Sequence, residues 1–317
     1  MTQAWCIPCV VFLLCGHALQ AAESDIDTLH DMNLPTIHAS DDDAEALRKA
    51  IERIEKIENK AAELPLIILP HRPNYLMPFS YQQRPFDKPF EQAFGEDNWH
   101  GIDHIEAVFQ ISIKYQLARL DQDNNHKLFL AYTNKSYWQV YNANASRPFR
   151  ETNHEPELIL QFNPPWHLIN RLEFAINHQS NGQYQQLSRS WNRITAGIYH
   201  VSGSSVIGLR PWWRIPESKS DDPNDPQDDD NPDIHKYIGY GDFVFYKKLG
   251  QQSVSLRFGN NFNFDSNRGW GEFEWNFPIT PRVRGFVQFY EGYGGNLIEY
   301  NHYQSRIGFG FKVSDYF

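Results

Sequence analysis

From about Asn74 onward, apolar and polar residues alternate in short runs separated by turn-forming clusters, the period-2 signature of strands with one greasy face. Twelve such segments are predicted, over 74–82, 104–117, 127–142, 155–163, 168–180, 188–201, 206–215, 237–249, 253–262, 269–279, 283–294 and 303–317. The connections alternate in length. Those at 121–126, 164–167, 202–205, 250–252 and 280–282 are short, whereas 84–103, 143–154 and 216–236 are long. An even strand count, with tight turns at one end and long loops at the other, predicts an all-β fold: a twelve-stranded antiparallel transmembrane β-barrel.

Upstream the period changes. Ser40 before Asp41, Asp42 and Asp43 is a helix-start signal, and Leu47, Ile51, Ile54 and Ile57 then recur at helical spacing. This predicts a short amphipathic helix within an N-terminal periplasmic extension, residues 22–66, ahead of a barrel domain at 67–317. Trp5 to Leu19 is mostly apolar, and Leu19-Gln20-Ala21 offers a cleavage site, so residues 1–21 are expected to be a signal peptide. It is atypical in that no Lys or Arg precedes Arg48. All three cysteines, Cys6, Cys9 and Cys15, lie within it, which leaves no disulfide or thiol chemistry for the rest of the chain.

Composition supports the barrel. Aromatics make up 15% of the 317 residues, with 9 Trp, 16 Tyr and 22 Phe. Yet the mean hydropathy is only −0.60. Girdles of aromatic residues on otherwise alternating strands reconcile the two. In the last segment Ile307, Phe309, Phe311 and Val313 alternate with Arg306, Gly308, Gly310 and Lys312, and the chain ends on Phe317, a pattern resembling the outer-membrane insertion signal. The bland alternative is a soluble β-sandwich. The net charge of −10 and the lack of a basic stripe argue against a nucleic-acid partner. The acidic stretch Asp221 to Asp233 reads as a solvated external loop, although its oxygens also suit calcium.

The chemistry sits where the alternation should be greasy. In Arg171 to Ser180 one face collects Leu172, Phe174, Ile176, His178 and Ser180, while Arg171, Glu173, Ala175, Asn177 and Gln179 take the other. Asn192 likewise shares a face with Ile194, Ala196 and Ile198. If a hairpin closes around residues 181–189, Asn192 sits opposite His178 with side chains roughly 5 Å apart. His178 can then act as base for Ser180, and Asn192 can hold the imidazole tautomer, although a neutral amide stabilises the imidazolium less than a carboxylate would. Gly182 offers a backbone amide to an oxyanion, and Ser188 with nearby carbonyls can hold a hard cation. Groups facing lipid meet lipid, so hydrolysis of membrane phospholipid esters is the expected reaction. Asn134 shares a face with Leu128, Leu130 and Tyr132; an unsatisfied amide in lipid is costly, so this residue hints at a subunit interface.

NHQSNG at 177–182 and SRSWNR at 188–193 strongly resemble the signature of bacterial outer membrane phospholipase A, and PFRETNHEPEL at 148–158, NPDIHKYIGYGDF at 231–243 and YEGYGGNLIEYN at 290–301 are similar to that family too. The resemblance spans roughly residues 67–317. It implies His178 as general base, Ser180 as nucleophile and Asn192 as the orienting residue. It further implies a barrel inactive as a monomer and active as a calcium-bound homodimer that cleaves sn-1 and sn-2 acyl chains. Calcium would be held by the Gln183 carbonyl, the Ser188 hydroxyl and Ser146 of the other subunit. Gln183 departs from an arginine common in the family, and Asn134 from a glutamine. The competing expectations are a passive structural or pore-forming outer-membrane barrel and, more weakly, a soluble periplasmic lipid-binding β-protein.

Overall fold

The computed structural model describes residues 41–61, 63, 67–95, 97–123, 125–217 and 229–314. The expected signal peptide, the terminal Phe317 and most of the acidic stretch lie outside them. Twelve strands form one closed antiparallel barrel: β2 (Asn74–Gln82), β3 (Ile105–Arg119), β4 (His126–Trp138), β5 (Phe149–Phe162), β6 (Arg171–Ser180), β7 (Ser190–Ser202), β8 (Ser205–Ile215), β9 (Gly241–Leu249), β10 (Gln252–Asn260), β11 (Gly269–Pro278), β12 (Arg284–Gly292) and β13 (Gln304–Ser314). The ring closes where β13 pairs with β2. A three-residue strand β1 (Ile68–Pro70) continues the line of β2 along β3. Pro78 has no N–H for the ladder, and the β2–β3 register shifts between Met77 and Ser80 to accommodate it. No described helix is long and apolar enough to cross a membrane.

Outward positions are apolar and exposed, among them Leu130, Leu158, Phe174, Ile176, Ile194, Leu209, Phe289 and Ile307. Inward positions are buried and polar. Arg150 donates to Glu106 at 2.6 Å and to Glu299 at 2.9 Å, Arg72 reaches Glu155 and Glu157, and Lys312 reaches Glu274. Side chains fill much of the lumen in this way, leaving cavities of about 140 and 150 Å³ beneath the two mouths.

Helix α1 (Asp41–Ala61) closes the short-turn mouth. At its start Leu47 packs on Val206 and Tyr246, and the Asp43 carboxylate accepts the Gly250 amide at 2.8 Å. At its end Ala61 packs on Leu69, Phe129, Ala131, Ile159 and Ala175, while Glu58 accepts from Lys114 at 2.7 Å and Lys127 at 3.1 Å. Twenty-one residues give a helix of about 31 Å, enough to cross the mouth. At the opposite end Trp191, Trp212, Ile234, Ile238, Leu297 and Tyr300 form an apolar stopper.

Several boundaries differ from the sequence expectation, β4 for one ending at Trp138 rather than 142, and two of the differences bear on the lumen and the mouth. Strand β5 begins at Phe149 rather than at 155, because Arg150 and Glu151 are buried lumenal side chains rather than loop charges. Residues 237–240 do not open a strand. His235–Ile238 is a helical turn that sends Ile234 and Ile238, four apart, into the stopper, and β9 starts only at Gly241.

Candidate active site

The β6–β7 hairpin sets the register that the alternation predicts. His178 pairs with Asn192 and Ser180 with Ser190, so four side chains share the outward face at the long-loop end. His178 Nδ1 donates to Asn192 Oδ1 at 2.9 Å. Their inward neighbours Asn177, Trp191 and Arg193 are buried in the lumen, which fixes the facing of the outward set. Ser180 lies two residues from His178, ~7 Å along the strand. No hydrogen bond joins the two among the described residues, a looseness usual before substrate arrives.

The lumen wall behind this set is stiff. Trp191 Nε1 donates to Gln179 at 2.8 Å, and the Arg193 guanidinium lies 4.0 Å over the Trp191 ring. Arg193 also donates to Glu155 at 2.8 Å and to Asn177 at 2.7 Å. The backbone beneath His178 and Ser180 is thereby held from the inside.

Loop 181–189 carries Gly182, Gln183 and Ser188, and a single buried residue organises it. Asn181 Nδ2 donates to Glu151 at 3.2 Å and to the Leu187 carbonyl at 2.8 Å, while Oδ1 accepts the amides of Gln183 at 3.3 Å and Arg189 at 2.9 Å. Leu187 adds an apolar anchor among Phe90, Ile102 and Ile298. Gly182 has φ +62°, in the left-handed region that favours glycine, two residues after Ser180.

Of the expected cation ligands, Ser188 sits beside a carboxylate, donating to Asp230 Oδ2 at 2.7 Å. Gln183 is exposed in the same loop, and Ser146 is exposed in the loop joining β4 to β5 at the same end of the barrel. Asp230 revises the reading of the acidic stretch as merely solvated. Asp229 pairs with Arg214, Asp230 takes the Ser188 hydroxyl and Asp233 accepts from Tyr300 at 2.6 Å.

Three further residues had no clear sequence signal. His154 is in register with Ser180 on the outward face, and its Nδ1 lies 2.6 Å from the Tyr132 hydroxyl. Glu217, in the loop after β8, accepts from Asn192 Nδ2 at 2.7 Å. Asn181 stands in the motif, but its role as a staple shows only in three dimensions. Asn134 is partnered within the chain, accepting from Ser136 at 3.0 Å and lying 3.4 Å from His154, so it does not by itself demand a second subunit.

Residues 51–313 match the model of the family described as Phospholipase A1. Phospholipase A1 of Escherichia coli is 32% identical over 322 residues, covering 99% of this chain and 99% of the relative. Phospholipase A1 of Klebsiella pneumoniae is 34% identical over 257 residues, covering 80% and 84%. Among solved structures, outer membrane phospholipase A from Escherichia coli superposes with a TM-score of 0.73 at 32% identity, over 83% of this chain and 98% of that one. The Salmonella typhi outer membrane phospholipase dimer with bound calcium gives 0.70 at 32% identity, over 80% and 94%. With its closed twelve-stranded barrel and its lipid-facing polar cluster, this chain belongs to the phospholipase A1 family and is a phospholipase of the outer membrane.

Proposed function

We propose that the barrel, residues 67–317, hydrolyses the sn-1 and sn-2 acyl esters of phospholipids and lysophospholipids with Ser180, His178 and Asn192, and that it does so as a calcium-dependent homodimer. The observation that carries this reading is the 2.9 Å bond from His178 Nδ1 to Asn192 Oδ1 on the outward wall. With Nδ1 protonated and donating, Nε2 keeps its lone pair and is free to take the Ser180 proton.

Ser180 Oγ then attacks the ester carbonyl, and the negative charge on the tetrahedral oxygen develops near the Gly182 amide. His178 gives its proton to the departing alkoxide of the lysolipid, leaving an acyl-serine. Water, deprotonated by His178, attacks that ester and releases the fatty acid, restoring the Ser180 hydroxyl. Substrate arrives laterally, past the exposed Leu130, Leu158, Phe174 and Ile176.

The Ser188 hydroxyl and the Asp230 carboxylate 2.7 Å from it are oxygen ligands of the kind a hard cation takes, although the Arg189 guanidinium already donates to the Ser188 carbonyl. Gln183 through its carbonyl, Ser188, and Ser146 of a second copy would hold it, with Asp230 adjacent. Bound there, calcium supplies positive charge beside the developing oxyanion. The relative from Salmonella typhi is a dimer with bound calcium, which favours the same assembly here.

The test is hydrolysis of a phospholipid in detergent micelles by the native protein and by Ser180→Ala, each with and without chelator and with crosslinking to read oligomeric state. Loss of activity in Ser180→Ala, with heat-modifiable migration retained, is the expected result. Full hydrolysis by that variant removes the nucleophile, and chelator-insensitive turnover removes the cation.

A further inference from the structure

Asn192 is an ambiguous orienter taken alone. Its side chain has an acceptor end and a donor end, and a flipped amide would turn –NH₂ toward His178, forcing the imidazole into the tautomer whose Nε2 carries the proton. Such a histidine is no base for Ser180. What decides the orientation is the other end of the amide, where Nδ2 donates to Glu217 Oε1 at 2.7 Å. An ionised carboxylate only accepts, so the nitrogen must face Glu217 and the oxygen must face His178.

We propose that Glu217 is a positioning residue that extends the His178–Asn192 pair into a relay ending in a carboxylate. It fixes the Asn192 amide, and through it the His178 tautomer, and it supplies the negative charge that Asn192 lacks. The carboxylate is itself held. Arg214, near the end of β8, lies 3.6 Å from Glu217 Oε2 and is paired in turn with Asp229. Glu217 is only 16% exposed, and burial pushes its carboxyl upward from the ordinary value. The charged and titratable groups facing this relay are therefore His178 from β6, Arg214 from β8, Asp229 from the following loop and, beyond Ser180, His154 from β5. The expectation that a neutral amide must leave the imidazolium poorly supported is thereby altered, because the charge sits one hydrogen bond further out.

The proposal rests on His178 being the base, and the experiment separates the two. In the full chain carrying Ser180→Ala, where no turnover occurs, the His178 imidazole is titrated by NMR in micelles with Glu217 intact and with Glu217→Gln, which keeps an acceptor but removes the charge. The expected outcome is a fall in the imidazole pKa of about half a unit to one unit, as for a unit charge acting over roughly 8 Å in a partly screened setting. An unchanged imidazole pKa overturns the relay.

In the Ser180 enzyme the acidic limb of the kcat/KM profile should move down by the same amount, with the plateau rate reduced about threefold to tenfold. In an Asn192→Ala background the through-space part of the pKa fall should remain, but Glu217→Gln should no longer lower the plateau rate; an undiminished rate effect there overturns transmission through the amide. A lowered imidazole pKa with an unmoved pH profile upholds the relay and rejects His178 as base.

Discussion

Replacing Glu58 by glutamine isolates what holds α1 across the short-turn mouth. The native carboxylate is 2% exposed and accepts from Lys114 at 2.7 Å and from Lys127 at 3.1 Å, the latter 1% exposed. Burial alone would raise the Glu58 pKa, but Lys114, Arg171 and Lys127 outweigh it and hold the group at about 2, down from 4.5. Holding the carboxyl that far below its ordinary value corresponds to about 3 kcal/mol, at roughly 1.36 kcal/mol per pKa unit. Breaking a buried pair by removing one partner costs about 3–5 kcal/mol, so two routes to the magnitude agree.

The assay is amide hydrogen exchange of α1 in micelles, where a loss of that size shortens protection about 100-fold while strand amides in the barrel stay protected. The pH dependence has a definite sign. A depressed carboxylate contributes fully above its unfolded value of 4.5 and loses its contribution as pH falls toward 2, so native α1 should hold at neutral pH and loosen in that acid window. Exchange in Glu58→Gln within twofold of native, or native loosening already at pH 6, refutes the reasoning.

Other outcomes follow from the same packing. Asn181→Ala removes four hydrogen bonds from loop 181–189 and should lower hydrolysis at least tenfold, with local destabilisation of about 2–4 kcal/mol and unchanged barrel migration on gels. Gly182→Ala meets no clash, since an added Cβ lies 3.6 Å from His154, but at φ +62° it carries a backbone cost of about 1–2 kcal/mol. Its activity loss should exceed its effect on thermal unfolding if the amide serves the oxyanion. In planar bilayers the protein should show no steady conductance, because α1 and the Trp191–Trp212 stopper seal both mouths; stable openings would count against the packed lumen.

The barrel was legible because a period of two leaves little freedom. Once Leu172, Phe174 and Ile176 define the lipid face, His178 and Ser180 must share it, and the hairpin length then sets Asn192 opposite His178. Ion-paired lumenal residues misled, since Arg150 and Glu151 read as loop charges until Glu106 and Glu299 are seen to meet Arg150 inside. Glu217, Asp230 and His154 were hidden for a different reason. Each reaches the site from another strand or loop, at 25, 42 and 26 positions from Asn192, Ser188 and Ser180 respectively, and no local periodicity encodes such a meeting. The docking of α1 was equally silent, because the amphipathic pattern announces a greasy stripe and not the Lys114–Lys127 pair awaiting Glu58.

The outward aspect of His178 and Ser180 changes what concentration means for this enzyme. An ester bond reaches the wall only by sliding in the plane of the leaflet, so turnover should follow the mole fraction of phospholipid in that plane and not the molar amount in the flask. Adding inert detergent at constant total lipid would slow the reaction by surface dilution alone.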